Sequence, residues 1–119
     1  MVDEPKLNVK FFKTPSGKEP VREWLADPKQ VKPEDKKTIG IDIKTVQFGW
    51  PMGMPIVRKM EADLWEVRSH ISAGIARVLF TVKETTMVLL HGFIKKGDKT
   101  PQEDLELARD RKNKTLRGE

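Results

Sequence analysis

A chain of 119 residues that is 37% hydrophobic and 34% charged is long enough to bury one core and reads as a single domain over residues 1–119. It has no cysteine and two histidines, which excludes disulfides and thiolate metal sites and argues against a histidine-based metal centre. The formal charge of +5 comes from 10 Lys/Arg against 8 Asp/Glu in residues 1–55 and 13 against 10 in residues 56–119; this balance permits nucleic-acid binding and equally fits a solvated charged surface. The longest apolar run, residues 87–90, is far shorter than the ~18 residues of a membrane span. The opening MVDEPKLNVK lacks the apolar stretch of a signal peptide. The default expectation is a cytoplasmic protein with no cofactor, no metal and no membrane partner.

Residues 7–13 (LNVKFFK) predict a short strand with Leu7, Val9 and Phe11 on one face and Phe12 on the other. Thr14-Pro15-Ser16-Gly17 breaks it. A helix follows over residues 18–27, with Pro20 tolerated in its first turn and Val21, Trp24 and Leu25 as its apolar stripe. Asp27-Pro28 ends it. Pro33 opens a second helix to residue 48, whose stripe is Ile39, Ile43, Val46 and Trp50. Gly49 is a candidate C-cap, and Pro51 stops any continuation. Met52 and Met54 in the following loop are expected to fill gaps in the core.

A strand is predicted over residues 56–60, then three more in close succession: 64–70, 75–82 and 87–94, rich in β-branched, aromatic and leucine residues. Their connections, Ser72-Ala73-Gly74 and the polar run 83–86, are too short for parallel crossovers, so neighbours should be antiparallel. Thr100-Pro101-Gln102-Glu103 reads as a capping box opening a last helix to about residue 114. Its apolar content is thin, mainly Leu105 and Ala108, so it should dock lightly, with a frayed tail to Glu119. The order β-α-α-β-β-β-β-α predicts an α+β fold: a largely antiparallel sheet with two N-terminal helices on one face and a C-terminal helix.

Strict alternation sorts the strand residues. Trp65 and Val67, and Ala76, Val78, Phe80 and Val82, form an apolar core face. Glu66, Arg68 and Arg77 fall on the other, expected to be exposed, with His91 and Lys95 as candidates for the same surface and Lys96 at the strand exit. His91 and Lys95 share parity with Leu89 and Phe93; Lys96 shares it with Leu90 and Ile94. Arginine holds phosphoryl oxygens bidentately and lysine adds a point charge, while a carboxylate or imidazole moves protons. Cleaving RNA without a metal needs an activated 2′-OH, a stabilised phosphorane and a proton for the 5′-oxygen. Each residue also has a plain structural reading. Exposed strand cations commonly solubilise or guard an edge, Glu66 and Arg68 make a same-face ion pair, and His91 suits a hydrogen-bonded structural role.

The segments LWEVR, GIARVLF and LLHGFIKKGDKTPQEDLELA, in this order and spacing, resemble the HigB-like branch of the RelE/ParE toxin superfamily. The resemblance covers roughly residues 7–114, and its most specific motif is F-x-K-K-x-x-K-T-P at residues 93–101. It implies a RelE-like fold and a toxin of a type II toxin–antitoxin pair that cuts mRNA in the ribosomal A site without metal or cofactor. The implied partners are a helix-turn-helix antitoxin, mRNA and the ribosome. Carried over by position, Arg68 and Arg77 hold the scissile phosphate. Lys95 and Lys96 form the basic pair from which one residue protonates the leaving group, Glu66 stands at a general-base position, and Lys99, with His91, contacts RNA. Many relatives place a tyrosine or histidine in the C-terminal segment, whereas this chain has no tyrosine and residues 100–108 hold no aromatic. Lysine transfers protons poorly unless like charges lower its pKa, so the acid and base assignments stay open. A ParE-like inhibitor of DNA gyrase without chemistry is the alternative on the same fold, and a catalytically dead antitoxin-binding module is a third.

Overall fold

A computed structural model gives the structure of residues 4–118; the expectation for Glu119 lies outside the described residues. The elements are β1 (Asn8–Phe11), α1 (Pro20–Ala26), α2 (Pro33–Gly49), β2 (Val57–Glu61), β3 (Leu64–Ile71), β4 (Gly74–Lys83), β5 (Thr86–Lys95) and α3 (Gln102–Leu116). The α+β expectation is met. The strands form one sheet in the order β1-β5-β4-β3-β2, antiparallel except for the parallel β1–β5 pair. Two-residue turns join β2 to β5 in sequence, which forces the antiparallel meander. In two of them a non-glycine residue takes positive φ, Asp63 and Glu84, both at 58°, as tight hairpin turns require.

One face of the sheet is covered by α1 and α2. Ile39, Ile43 and Val46 of α2 are buried against Val67, Ala76, Val78, Phe80, Met87 and Leu89, as their spacing requires. Trp50 caps α2 and sits edge-on to Trp65 (5.0 Å) and Phe80 (5.6 Å). Trp24 of α1 lies on Gly92 of β5, where a Cβ would stand 2.4 Å from the indole ring. Only a residue without a side chain lets α1 come this close. Met52 packs against the core, but Met54 is 64% exposed and fills no gap.

The opposite face is not open, which corrects the expectation of an exposed cationic surface. α3 covers it, over a second core of Phe12, Leu64, Leu79, Val88, Leu90, Phe93 and Ala108. The helix contributes little apolar surface, as its sequence indicates, yet it is not lightly held. Arg109 donates from Nε and Nη2 to the Glu61 carboxylate at 2.9 and 2.8 Å. Lys112 donates to the Ala62 carbonyl (3.1 Å), Arg111 to the Leu90 carbonyl (2.8 Å), and Lys83 to the Thr115 carbonyl (3.2 Å). Charge-assisted bonds do here what apolar burial does for α2; the sequence pattern measured only the second.

Alternation also fails in β5. Leu79 pairs with His91 but Phe80 with Leu89, leaving Leu90 as an extra residue. This β-bulge shifts the parity: Met87 and Leu89 face α1 and α2, while Leu90 and Phe93 face α3. His91 therefore does not share a face with Leu89. Arg77 pairs with Phe93, so the charged positions of β4 and the exit of β5 stay on one face.

Candidate functional site

The site is built by register. Arg68 of β3 lies opposite Arg77 of β4, Glu66 lies opposite Leu79, and on the other side Arg58 of β2 lies opposite Glu66. Residues two apart on a strand share a face, so one carboxylate is surrounded by three guanidinium-bearing positions. Like charges directly opposite each other destabilise a sheet. Arg68 and Arg77 tolerate that pairing because Glu66 lies between them. Its Oε1 accepts from Arg68 Nη1 at 2.9 Å and stands 3.8 Å from Arg77 Nε. Glu66 and Arg77 have no exposed surface, and Arg68 is 7% exposed.

The segment after β5, residues 96–100, closes over this cluster. The Asp98 carbonyl accepts from both Arg58 Nη1 (3.2 Å) and Arg68 Nη1 (3.4 Å). Arg77 Nη1 donates to the Lys99 carbonyl at 3.1 Å, and Nη2 makes a very short bond to the Gly97 carbonyl. Arg68 Nη2 is 3.5 Å from the Asp98 carboxylate, whose side chain is otherwise 92% exposed. The Thr100 hydroxyl donates to Glu66 Oε2 at 2.5 Å. Thr100 is thus not the helix cap its sequence motif suggests. Pro101 occupies the cap position of α3 with no side-chain cap bond, because the hydroxyl is engaged by the buried carboxylate. A bond from a hydroxyl to an ionised carboxylate is stronger than one between neutral partners, and it turns the side chain away from the first-turn amides it would cap.

Arg77 is the most constrained member. Burial pushes its pKa below the ordinary guanidinium value. Glu66 opposes the shift, Arg68 adds to it, Asp98 opposes it and Arg58 adds to it. A guanidinium nevertheless keeps its proton in a protein, so this is a buried cation. Its Nε has no hydrogen-bond partner among the described residues. Its carbon lies 5.8 Å from the Phe93 ring centroid, a cation–π contact.

The remaining candidates fall into two groups. Lys95, Lys96 and Lys99 are exposed at the rim of the cluster. Gly74 backs this rim: at φ +140° its hydrogen faces the backbone of Lys95 and Lys96, where a Cβ would be 2.9 Å from the Lys95 carbonyl oxygen. His91, in contrast, is turned to α3. Its Nε2 is 2.6 Å from Asp104 Oδ1 and its ring stacks on Phe93 at 5.5 Å. It lines a cleft of about 450 Å³ with Trp24, Gln30, Lys95 and Asp104, and its ring is one of the fasteners of the last helix.

Sequence reasoning missed Arg58 and the segment carbonyls. Arg58 had a signal: Val57 belongs to the core face, so its neighbour faces the side of Glu66. The carbonyls had none, because main-chain acceptors leave no trace in residue identity. Chemically, three cations around one carboxylate present donors of the kind that can hold phosphoryl oxygens, beside a group able to take up a proton. As it stands, the chain's own carbonyls hold those donors.

Among the described residues no helix is long and apolar enough to cross a membrane, and no group of three or more His, Cys, Asp or Glu side chains gathers to hold a metal ion. A search of curated protein sequences finds no match. The family model described as Phage derived protein Gp49-like (DUF891) matches residues 24–113, from Trp24 of α1 to the last turns of α3. That span includes every residue of the cluster and its rim. The chain therefore belongs to the Gp49-like family of phage-derived proteins, a family within the RelE/HigB-like toxin superfamily whose membership implies an antitoxin partner.

Proposed function

We propose that this protein is the toxin of a type II toxin–antitoxin pair and cuts mRNA on the ribosome, using side chains alone. The observation that carries the reading is the buried Glu66 carboxylate held beside Arg68 and Arg77, with Arg58 across the strand and three exposed lysines at the rim. Lys95, Lys96 and Lys99 draw in the RNA backbone. Arg68 and Arg77 hold the non-bridging oxygens of one phosphodiester and stabilise the extra negative charge of the phosphorane. Glu66 takes the proton of the 2′-OH as its oxygen attacks phosphorus. The bond to the 5′-oxygen breaks, and that oxygen receives a proton from Lys95 or Lys96, leaving a 2′,3′-cyclic phosphate. His91 supports this surface by fastening α3 through Asp104 rather than by touching RNA. A helix-turn-helix antitoxin is the partner that restrains the activity.

The test is to induce the chain in a bacterium without antitoxin and map mRNA 5′ ends. New ends inside coding regions during growth arrest are expected, and intact mRNA would refute the reading. One observation favours a second reading, the ParE-like inhibitor of DNA gyrase: the phosphate-holding arginines are bonded to the protein's own main chain. Growth arrest with DNA damage and intact mRNA would select it.

A further inference from the structure

We propose that Arg58, Arg68 and Arg77 form one anion pocket that is filled by the chain's own residues 97–99, and that a phosphodiester binds by displacing this segment. The proposal rests on the RNA-cleaving reading for its ligand but not for its geometry. It adds a third arginine to the site and makes the closed segment a competitor of the substrate.

Three features show that the segment stands in for an anion. Its carbonyls accept four guanidinium hydrogen bonds, at positions that suit phosphoryl oxygens. Two cations, Arg58 and Arg68, converge on the single Asp98 carbonyl oxygen at 3.2 and 3.4 Å, and the two Nη atoms of Arg77 grip the Lys99 and Gly97 carbonyls as a fork. A fork of parallel N–H donors matches carboxylate or phosphate geometry, and a neutral amide oxygen is the weaker acceptor. Second, charge is left over. Three guanidiniums face one buried carboxylate, Glu66, and the Asp98 side chain that approaches Arg68 at 3.5 Å is almost wholly in water, where screening weakens it. Even with Asp98 counted the pocket is left with one positive charge, which the single negative charge of a phosphodiester would balance. Third, the closed arrangement is incomplete. Arg77 Nε is buried without a hydrogen-bond partner among the described residues, and Glu66 stands too far for a bond at 3.8 Å.

The segment itself is easily released. Gly97, Asp98 and Lys99 are exposed, and the side-chain contacts that tie this stretch to the cluster are the solvent-exposed Asp98 carboxylate on Arg68 and the Thr100 hydroxyl on the buried Glu66. Breaking the Thr100 contact frees the Glu66 oxygen that would accept the 2′-OH proton, so one movement opens both the phosphate donors and the base. The apparent affinity of such a site is its intrinsic affinity reduced by the fraction of molecules that are open.

The experiment uses the full chain and inorganic pyrophosphate as the probe, titrated calorimetrically at constant ionic strength, with amide hydrogen exchange read over residues 96–101. Pyrophosphate should bind, and at saturation exchange in this stretch should rise while the strands stay protected. Thr100→Val should tighten binding roughly tenfold, since losing a hydrogen bond to a charged group favours the open form. Arg58→Ala should weaken it by about tenfold with little change in melting temperature, because Arg58 is an exposed residue. No binding at millimolar pyrophosphate, or binding without a rise in exchange in the wild-type chain, overturns the proposal; so does an Arg58→Ala affinity equal to wild type. If pyrophosphate displaces the segment but cellular mRNA stays intact, the pocket stands and the RNA-cleaving reading falls. If mRNA is cut while the segment stays closed, the reverse holds.

Discussion

Removing one charge from the centre of the cluster tests whether Glu66 holds the fold together as well as serving the site. Glu66→Gln keeps the shape and leaves an oxygen to accept from Thr100, but it deletes the negative charge between two cations. Both Glu66 and Arg77 are without exposed surface, so solvent does not replace the lost partner. Breaking a buried ion pair from one side costs about 3–5 kcal/mol, mostly the penalty of the stranded charge. Residues 96–100, which close over the pair, admit water once loosened, so the lower end, about 3 kcal/mol, is expected. Unfolding entropy of about 2.1 cal/mol/K per residue gives roughly 0.25 kcal/mol/K for this chain length, hence a fall in melting temperature of about 12 °C. Thermal melts followed by circular dichroism read this directly. The double variant Glu66→Gln with Arg77→Met should recover most of the loss, because it removes the stranded cation too. A single-variant loss below about 1 kcal/mol, the value of a solvated surface pair, would refute the reasoning.

Two further predictions concern the elements that frame the site. Gly92→Ala forces Trp24 off β5, because its Cβ would meet the indole at 2.4 Å; the loss should be about 1–3 kcal/mol, seen as a lower melting temperature with a shifted tryptophan emission, and unchanged values would disprove the contact. The α3 anchor should be acid-sensitive. Glu61 is held below its ordinary 4.5, chiefly by the hydrogen bonds of Arg109, with burial opposing and the charges of Arg109 and Lys112 adding. A depressed folded-state pKa means the anchor's stabilisation is fully present above pH 4.5 and is lost as pH falls through the lower folded value. Glu61→Gln should therefore flatten the stability profile below pH 4.5, and a profile identical to wild type would show that the anchor does not report there.

How much of this was legible in the sequence follows from what each feature depends on. The stripe Ile39, Ile43, Val46 was readable because helical spacing alone decides which side chains share a face. The core face of β3 and β4 was readable for the same reason at period two. The shared face of Glu66, Arg68 and Arg77 also came from alternation and was met in the structure; its expected exposure was not. Exposure depends on what lies above a face: residues 97–100 close over the cluster through main-chain carbonyls and the Thr100 hydroxyl, and α3 gave a weak apolar signal because Arg109, Arg111 and Lys112 dock it through polar bonds. The parity of β5 was misread at Leu90, since a bulge costs one residue of register and has no residue signature of its own. Thr100 was misread because T-P-x-E is a local motif, while the hydroxyl's actual partner, Glu66, is 34 residues away.

By itself the sequence determined the α+β order of elements, the apolar face that folds it and the set of charged residues that gathers on the other. These are local properties, set by spacing and backbone preference. Only the tertiary structure decided that the cations are covered, that Arg58 joins them, and that the carbonyls of Gly97, Asp98 and Lys99 hold their donors. Main-chain acceptors are the same in every residue, and which of them a guanidinium meets is fixed by the path of the folded chain.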